Sequence, residues 1–369
     1  MTGTKAGAPA AQSRPRPVRS LQATLGWLHQ NLFNTWYNAL LTLISAWLIY
    51  KVAITVVPWG LTRAVFGTTA ESCQGAQGAC WSFVYHFFGL FMVGTYPYEQ
   101  RWRILGVLLI VVALSAATLY RPWRGKRWLI LTWIAALFPM FLMIRGSQTL
   151  GLPVVDSTQW GGLLLTVLLS VFGVGLAFPF SILLALGRRS KLPIVKALCV
   201  GYIELIRGVP LITILFMASV MLPLFFPPGF NLDKVLRAQI GIIMFSSAYL
   251  AEVVRGGLQA IPRGQEEAAA AMGLNYWQTM GLIVMPQALR IVIPPLVSTF
   301  IGLLKDTSLV AIISLIDLLG AAYSASQNPQ WLGHVVEAYV FTGAVYWVIC
   351  FSMSRYSQKL EQRFRVGQH

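Results

Sequence analysis

Four consecutive polar residues interrupt an otherwise apolar run near the end of this sequence. The run covers 287–326, and the residues that break it are Lys305, Asp306, Thr307 and Ser308. Ionisable groups at membrane depth are costly, which makes them candidates for a polar pathway. Adjacent opposite charges suit a zwitterionic small molecule, because such a molecule carries both a carboxylate and an ammonium. The alternative interpretation is a structural break that an ion pair stabilises.

A second set of charged residues lies where apolar segments end. We interpret its members as inter-helix or gating contacts at the cytoplasmic ends of helices rather than as ligands. They are Glu204, Arg207, Glu252 and Arg255.

Signatures of enzymes are missing from the sequence. It has no HExxH, CxxC or GxSxG pattern, and its four histidines are unpaired, so we expect no metal and no catalytic residues. Gly125-Lys126 lacks the rest of a phosphate-binding loop, so we expect no bound nucleotide or other cofactor. Cys73 and Cys80 lie in a polar stretch that we place outside the membrane. A disulfide there would fit an oxidising periplasm, although the spacing does not establish it.

The composition indicates a membrane protein. Hydrophobic residues make up 56% of the chain and charged residues 11%, against about 25% charged in soluble proteins. The formal charge of +16 could indicate nucleic-acid binding. Because the basic residues mostly flank apolar runs, as in the cytoplasmic loops of membrane proteins, we exclude nucleic acid.

We predict an all-α membrane protein of about eight transmembrane helices with both termini in the cytoplasm. The aromatic stretch 82–97 is short, and counting it as a crossing would place the basic segment after residue 120 outside, so we assign it to an external interfacial helix. The run 287–326 fits two spans or one broken helix, and parity favours one crossing. The predicted crossings are 37–59, 104–120, 129–145, 160–186, 209–226, 236–252, one within 287–326, and 335–354.

The predicted organisation has a disordered basic tail, an N-terminal extension, a membrane core and a short C-terminal tail. The extension contains about three spans and a periplasmic loop at 61–102, and the core contains a cytoplasmic loop at 253–286. The corresponding boundaries are 1–32, 33–155, 156–358 and 359–369.

The segment 261–286 predicts two short helices on the cytoplasmic side. Glu266 to Met272 is rich in alanine and has acidic residues in its first turn, which favours a helix. Gly273 suits a helix end, and Asn275 suits the cap of a second helix that breaks at Pro286. Small side chains let another surface approach closely. The alternative is an alanine-rich connecting helix without a partner.

This segment also resembles the EAA loop of ABC importer permeases. The matching residues are Glu267, Ala268, Ala269, Gly273, Ile283 and Pro286, with Met285 where the family has leucine. The segments 202–210, 248–257 and 303–309 resemble the polar amino-acid permeases for His, Gln, Glu, Arg and opines. The resemblance covers about 160–365, a five-span type I core. The three extra N-terminal spans resemble the longer general L-amino-acid permeases, in particular the M subunit.

The resemblance implies a subunit of an importer in the bacterial inner membrane. It implies four kinds of partner: a cytoplasmic ATPase dimer that uses ATP and Mg, a second and distinct permease subunit, a periplasmic amino-acid-binding protein, and an L-amino-acid substrate. The EAA loop would dock on the ATPase. A stand-alone secondary amino-acid transporter is the rival hypothesis, and it would often show an inverted repeat, which this sequence lacks.

Overall fold

The computed structural model describes residues 21–120, 126–227 and 232–365, and these residues are almost entirely helical, with a few isolated β-bridges and no strand. The helices are α1 (Leu21–Leu32), α2 (Trp36–Val57), α3 (Trp81–Val93), α4 (Trp102–Tyr120), α5 (Lys126–Arg145), α6 (Gly162–Arg188), α7 (Pro193–Gly208), α8 (Leu211–Phe216), α9 (Lys234–Gln259), α10 (Gly264–Ala271), α11 (Tyr276–Gln278), α12 (Met285–Ile291), α13 (Ile293–Asp306), α14 (Leu318–Ser326) and α15 (Val335–Arg365).

The chain divides into two compact units. The first runs to Val65 and includes Gly75–Ala79; the second contains Phe66–Gln74 and Cys80 onwards. In the first unit, α1 corrects the prediction of disorder for 21–32, because leucines at positions 21, 25, 28 and 32 recur at helical spacing. The rest of the predicted tail, residues 1–20, lies outside the described residues. Helix α2 has no fully buried residue among those that the structure describes.

The core of the second unit forms where α6 packs against α9. Leu165 and Leu169 of α6 contact Ala238 and Ile242 of α9 in a cluster that also includes residues of α8 and α13. Gly173 lies in this seam, where a Cβ atom would crowd the Ile242 side chain. Small residues at such positions allow the close helix approach on which packing in membranes depends.

Helices α7 and α8 differ from the predicted span 209–226. Together the two helices are long and apolar enough for a crossing, but they meet at an angle of 104°. Val209 is extended because it precedes Pro210, a position that disfavours helical backbone. The predicted span therefore corresponds only to the second limb, and the sequence analysis assigned no helix to α7.

The apolar run 287–326 contains one candidate crossing, Ile293–Ile313, in which α13 continues as a 3₁₀ turn. Ser314 then adopts a left-handed conformation, with φ of 60°, and the chain enters the shorter α14. Helix α15 runs to Arg365, so residues 359–365 of the predicted C-terminal tail continue this helix; residues 366–369 lie outside the described part of the chain.

Six helical segments among the described residues are long and apolar enough to cross a membrane, or seven if the bent pair forms one span. Helix α5 contributes a shorter apolar segment, Leu131–Arg145. Counting it would give eight crossings. Helix α3 has 13 residues and a length of about 20 Å, which is too short for a hydrocarbon core of about 30 Å.

Within the second unit, a hydrogen bond and a cluster of rings hold the start of α3, which directly follows a disulfide. Cys73 and Cys80 are bonded to each other, and the Cys80 N–H donates to Oε1 of Glu337 at 3.0 Å. Phe83 lies against Trp331, with ring centroids 5.9 Å apart. These contacts fix the start of α3 beside the start of α15.

A fully buried arginine holds together the adjoining ends of α4 and α5. Nη1 of Arg103 donates to the Pro153 carbonyl at 2.8 Å, and the Tyr96 hydroxyl donates to the Ile144 carbonyl at 2.8 Å. Burial raises the pKa of Tyr96 above its ordinary value, so the hydroxyl keeps its proton and remains a donor.

Candidate functional site

The segment after α9 forms the predicted helix, turn and second helix. Helix α10 ends in a Schellman motif, in which the Leu274 N–H donates to Ala269 O at 3.1 Å and the Gly273 N–H to Ala270 O at 3.0 Å. Gly273 has φ of +77°, a left-handed conformation that glycine adopts without the steric cost of a Cβ atom. The turn therefore depends on glycine at this position.

Asn275 begins the second helix with a capping box. Its Oδ1 accepts from the Gln278 N–H at 2.9 Å, and Gln278 Oε1 accepts from the Asn275 N–H at 3.0 Å. The predicted break at Pro286 is wrong, because the helix continues to Ile291. A π-helical stretch, Thr279–Val284, precedes the proline and accommodates a residue that lacks an amide donor. The break falls at Val292 instead.

One face of this segment is anchored to the helix bundle. Ala269 is buried, and Met280, Val284 and Ala288 pack with Val254 and other residues of α6 and α9. The Gln287 amide donates to the Ile283 carbonyl at 2.9 Å. The segment is thus a fixed projection rather than a free loop.

The opposite face of the segment is exposed and contains large apolar side chains. Met272 is 81% exposed, Trp277 70% and Leu282 70%. Glu267 and Ala268 are exposed beside them. We call this face, consisting of Glu267, Ala268, Met272, Gly273, Trp277 and Leu282, the arm surface. Aromatic and methionine side chains on an exposed face are typical of surfaces that bind another protein.

An ion pair joins α10 to the end of α6. Nη2 of Arg189 lies 2.9 Å from Oε1 of Glu266, and Nη1 of the same arginine donates to the Leu258 carbonyl at 3.5 Å. Both side chains of the pair are about one-third exposed. The contact therefore orients α10 more than it stabilises the fold.

The neighbouring residue, Arg188, belongs to a different group of charges. Its Nη1 lies 2.6 Å from Oε1 of Glu252 and 3.0 Å from Oε1 of Glu204. Glu252 also pairs with Nη2 of Arg255 at 2.8 Å and lies 3.9 Å from Nη1 of Arg207. We call these five residues the Glu252 cluster. It joins the ends of α6, α7 and α9.

The structure brings together the four charged residues that the sequence analysis placed at helix ends, and it adds Arg188 as the residue that connects both glutamates. Arg188 was not among the candidate residues taken from the sequence. Two consecutive arginines directly after an apolar run were the available signal. Their partners lie up to 77 positions away, so the pairing depends on the tertiary fold.

The four polar residues at the end of α13 differ in their exposure. Lys305 is exposed and Thr307 is buried, and Asp306 and Ser308 are intermediate. The Thr307 hydroxyl donates to the Leu304 carbonyl at 2.8 Å. Among the residues that the structure describes, neither Lys305 nor Asp306 forms an ion pair within 4.0 Å.

The sequence analysis missed Asp317, a fully buried carboxylate. Its oxygens accept from the N–H groups of Leu319 at 3.1 Å and Gly320 at 2.9 Å, which caps α14. The Tyr346 hydroxyl of α15 donates to it at 3.3 Å. An aspartate directly before an apolar helix was the available signal.

Comparison with known proteins agrees with the membrane architecture. Residues 177–366 match the family described as the binding-protein-dependent transport system inner membrane component. The inner membrane amino-acid ABC transporter permease protein YhdY of Escherichia coli (strain K12) is 49% identical over 360 residues, covering 96% of each chain. The glutamate/glutamine/aspartate/asparagine transport system permease protein BztC of Rhodobacter capsulatus is 38% identical, covering 95% of this chain and 96% of that relative.

A solved structure, described as an amino acid ABC transporter with histidines, is 30% identical with a TM-score of 0.49, covering 55% of this chain and 92% of its own. The family match and the full-length relatives agree on a non-catalytic, multi-span membrane subunit. The chain therefore belongs to the family of binding-protein-dependent transport system inner membrane components.

Proposed function

We propose that this chain is a permease subunit of an ATP-driven amino-acid importer and that the arm surface docks on a cytoplasmic ATPase. The observation that carries the proposal is a rigidly anchored helical projection with exposed Met272, Trp277 and Leu282. A short helix that fits into a groove on a partner is a recurring mode of protein recognition. The partner would bind and hydrolyse ATP with Mg.

The amino-acid cargo is supported by relatives that match almost the whole chain. YhdY is described as an amino-acid ABC transporter permease, and BztC as a permease for glutamate, glutamine, aspartate and asparagine. The alignment of nearly the full length includes the N-terminal helices. We therefore assign the chain to the long permeases for polar or general L-amino acids.

The route from the ATPase to the membrane helices would run through the end of α6. Movement of the arm pulls on Glu266 and hence on Arg189, and the adjacent Arg188 contacts Glu252 and Glu204. The Glu252 cluster holds three helix ends together, so a small shift in α6 would release or tighten all three. Packed interfaces commonly switch between two arrangements in this way.

The remaining parts of the transporter follow from the family. A binding protein in the periplasm would deliver the amino acid, and a second, distinct permease subunit would form the other half of the pathway. Both termini would lie in the cytoplasm. We assign Lys305 and Asp306 to the pathway because they are charged groups within a membrane-crossing segment, where Lys305 is exposed and Asp306 is partly exposed.

The test of ATPase docking is Gly273→Asp in the assembled transporter in proteoliposomes. The variant adds a negative side chain at the centre of the arm surface, and we expect uptake of labelled amino acids to fall about tenfold or more, as for loss of a central interface contact. Gly151→Asp is the matched control, because Gly151 also has a left-handed conformation, with φ of +67°, and open space around it. Equal uptake by the two variants would contradict the proposal.

A second measurement separates the proposal from a secondary transporter. Uptake should require internal ATP, the ATPase, the binding protein and the second permease. Uptake by this chain alone, driven by an ion gradient, would favour the rival function. For the pathway, Lys305→Ala and Asp306→Ala should each reduce uptake while binding of the ATPase persists, and unchanged uptake would remove both residues from the pathway.

A further inference from the structure

A crevice between α5, α6 and α9 lies apart from both the arm surface and the Glu252 cluster. It encloses about 300 Å³, which is at the lower end of the range for small-molecule sites. Leu176 and Leu236 on its border are each about half exposed, so the crevice opens to the surroundings of the helix bundle along this edge. The bundle packing leaves it unfilled.

One part of the crevice is apolar and follows α6. Leu168, Phe172 and Leu176 line it at a spacing of four residues, which places them on one face of the helix over about 12 Å. Phe141 of α5 forms the opposite wall, with its ring centroid 6.4 Å from that of Phe172 and 6.1 Å from that of Trp160. Because α6 is a membrane-crossing segment, this wall has the direction of a lipid acyl chain.

The other part of the crevice is charged. Arg145 is the last residue of α5, Asp156 lies in the loop before α6, and Asp233 caps the start of α9. These three groups give this end a formal charge of −1. Charge is thus confined to one end of the crevice, and the apolar side chains extend from it towards the middle of α6.

Two of these charged groups, Asp156 and Arg145, retain capacity for a ligand. Oδ1 of Asp156 accepts from the Thr158 N–H at 2.8 Å and from its hydroxyl at 2.6 Å, whereas Oδ2 has no hydrogen-bond partner among the described residues. The hydrogen bonds from Thr158 hold the pKa of Asp156 below its ordinary value, so the carboxylate is ionised at neutral pH. Arg145 has no carboxylate within ion-pair distance in the described part of the chain.

Both carboxylate oxygens of Asp233 already accept hydrogen bonds within the protein. Its Oδ1 accepts from the N–H groups of Val235 at 2.9 Å and Leu236 at 3.1 Å, and its Oδ2 accepts from the Ser157 hydroxyl. It contributes its charge to the site. Asp156 is the carboxylate with an oxygen left for a donor.

We propose that this crevice binds a phospholipid whose head group contains a phosphate and a primary ammonium. The Arg145 guanidinium pairs with the phosphate, the chemistry for which its planar donors are suited. Oδ2 of Asp156 accepts from the ammonium, and one acyl chain lies along Leu168, Phe172 and Leu176. A quaternary ammonium has no N–H to donate, and an anionic head group meets a net negative site, so both bind more weakly.

The shape of the crevice favours a lipid over a free amino acid. An amino acid would pair its two charges with Arg145 and Asp156 but would leave the wall from Phe172 to Leu176 uncovered. That wall borders the hydrocarbon region, where a lipid chain is available at high concentration. The proposal is independent of the transport cargo.

The experiment is lipid binding to the complete chain, measured by native mass spectrometry in a mild detergent. The probes are phosphatidylethanolamine, phosphatidylcholine and phosphatidylglycerol with identical acyl chains. We expect the ethanolamine lipid to bind about fivefold more tightly than the choline lipid, the size of one partly exposed charged contact. Equal affinities for all three lipids would overturn the proposal.

Variants locate the site. Asp156→Asn should reduce the preference for ethanolamine over choline to about twofold or less, and Arg145→Gln should weaken both lipids by a similar factor. Glu71→Gln, which neutralises an exposed acid outside the crevice, is the matched control and should leave the preference unchanged. A preference that survives Asp156→Asn would place the selective site elsewhere.

A filling variant and a competition experiment test the occupant. Leu176→Trp should weaken all three lipids, because the larger side chain occupies the chain-binding wall. Millimolar L-glutamine should displace none of the bound lipid. Displacement by L-glutamine, or unchanged lipid binding by Leu176→Trp, would overturn the assignment to a lipid.

Discussion

Neutralising Glu252 without changing its shape should destabilise the protein far more than the same change at Glu204. Glu252→Gln removes the charge that faces three guanidinium groups, of which Arg188 and Arg255 lie within 3.0 Å. The Glu252 side chain is 16% exposed, whereas that of Glu204 is 56% exposed and has one ion-pair partner. The two variants therefore compare a central and a peripheral carboxylate in one cluster.

The magnitude follows from these contacts. A hydrogen bond to a charged group contributes roughly 1.5–3 kcal/mol, and removing one partner of a buried pair costs about 3–5 kcal/mol. The three arginines are 25–36% exposed and regain hydration when Glu252 is neutralised, which lowers the cost. We expect a loss of about 2–3 kcal/mol for Glu252→Gln and about 0.5 kcal/mol or less for Glu204→Gln.

The free energy of unfolding is measured by SDS titration in mixed micelles, with tryptophan fluorescence as the signal. The double variant Arg188→Gln with Glu252→Gln completes a cycle, and we expect a coupling of about 1–2 kcal/mol between these residues. Equal losses for Glu252→Gln and Glu204→Gln, or additive effects in the cycle, would refute the interpretation of Glu252 as the centre of the cluster.

Three further changes test other contacts. Cys73→Ser should lower the free energy of unfolding by about 2.5 kcal/mol, which is the loop-entropy value for the short loop that the bond to Cys80 closes. Alkylation of the unchanged protein with and without reductant shows whether the disulfide is present. Four thiols that react without reductant would contradict it. Gly162→Ala should lower the thermal midpoint, because Gly162 has φ of +59° and a Cβ atom would clash with Phe91 O, whereas Gly175→Ala, with open space, should not; equal midpoints would refute the close contact. Trp277→Ala should reduce ATPase co-purification about tenfold with unchanged unfolding; undiminished co-purification would show that the exposed ring is not part of the interface.

Local sequence signals predicted most of the helix, turn and second helix that carry the arm surface. Alanine content, a glycine and an asparagine specified helix, turn and cap, because each of these preferences acts within a few residues. Pro286 gave a wrong prediction of a helix break for the same reason, because the preference of proline also acts locally. A π-helical stretch before the proline changes the local hydrogen bonding, and no single residue in the sequence predicts this stretch.

The apolar runs predicted most membrane segments, but they did not predict the bend before α8. Hydropathy averages over about 20 positions and ignores the conformation of one residue such as Val209, although the following proline was a usable signal. The Glu252 cluster could not be predicted without knowledge of the tertiary fold. Its members are separated by up to 67 positions, from Arg188 to Arg255, and sequence spacing does not specify which charges meet.

Arg188 and Arg189 are consecutive, yet one contacts the Glu252 cluster and the other contacts Glu266 of the arm. Successive residues on a helix point about 100° apart. Which arginine contacts which partner therefore depends on how the last turn of α6 is rotated about the helix axis. Inserting one residue in α6 would turn Arg188 into the direction that Arg189 now has and would turn Arg189 about 100° further round the helix, while leaving composition and hydropathy almost unchanged. The two contacts therefore fix the number of residues in α6 between its packed core and its end, because an insertion or deletion of one residue would break them.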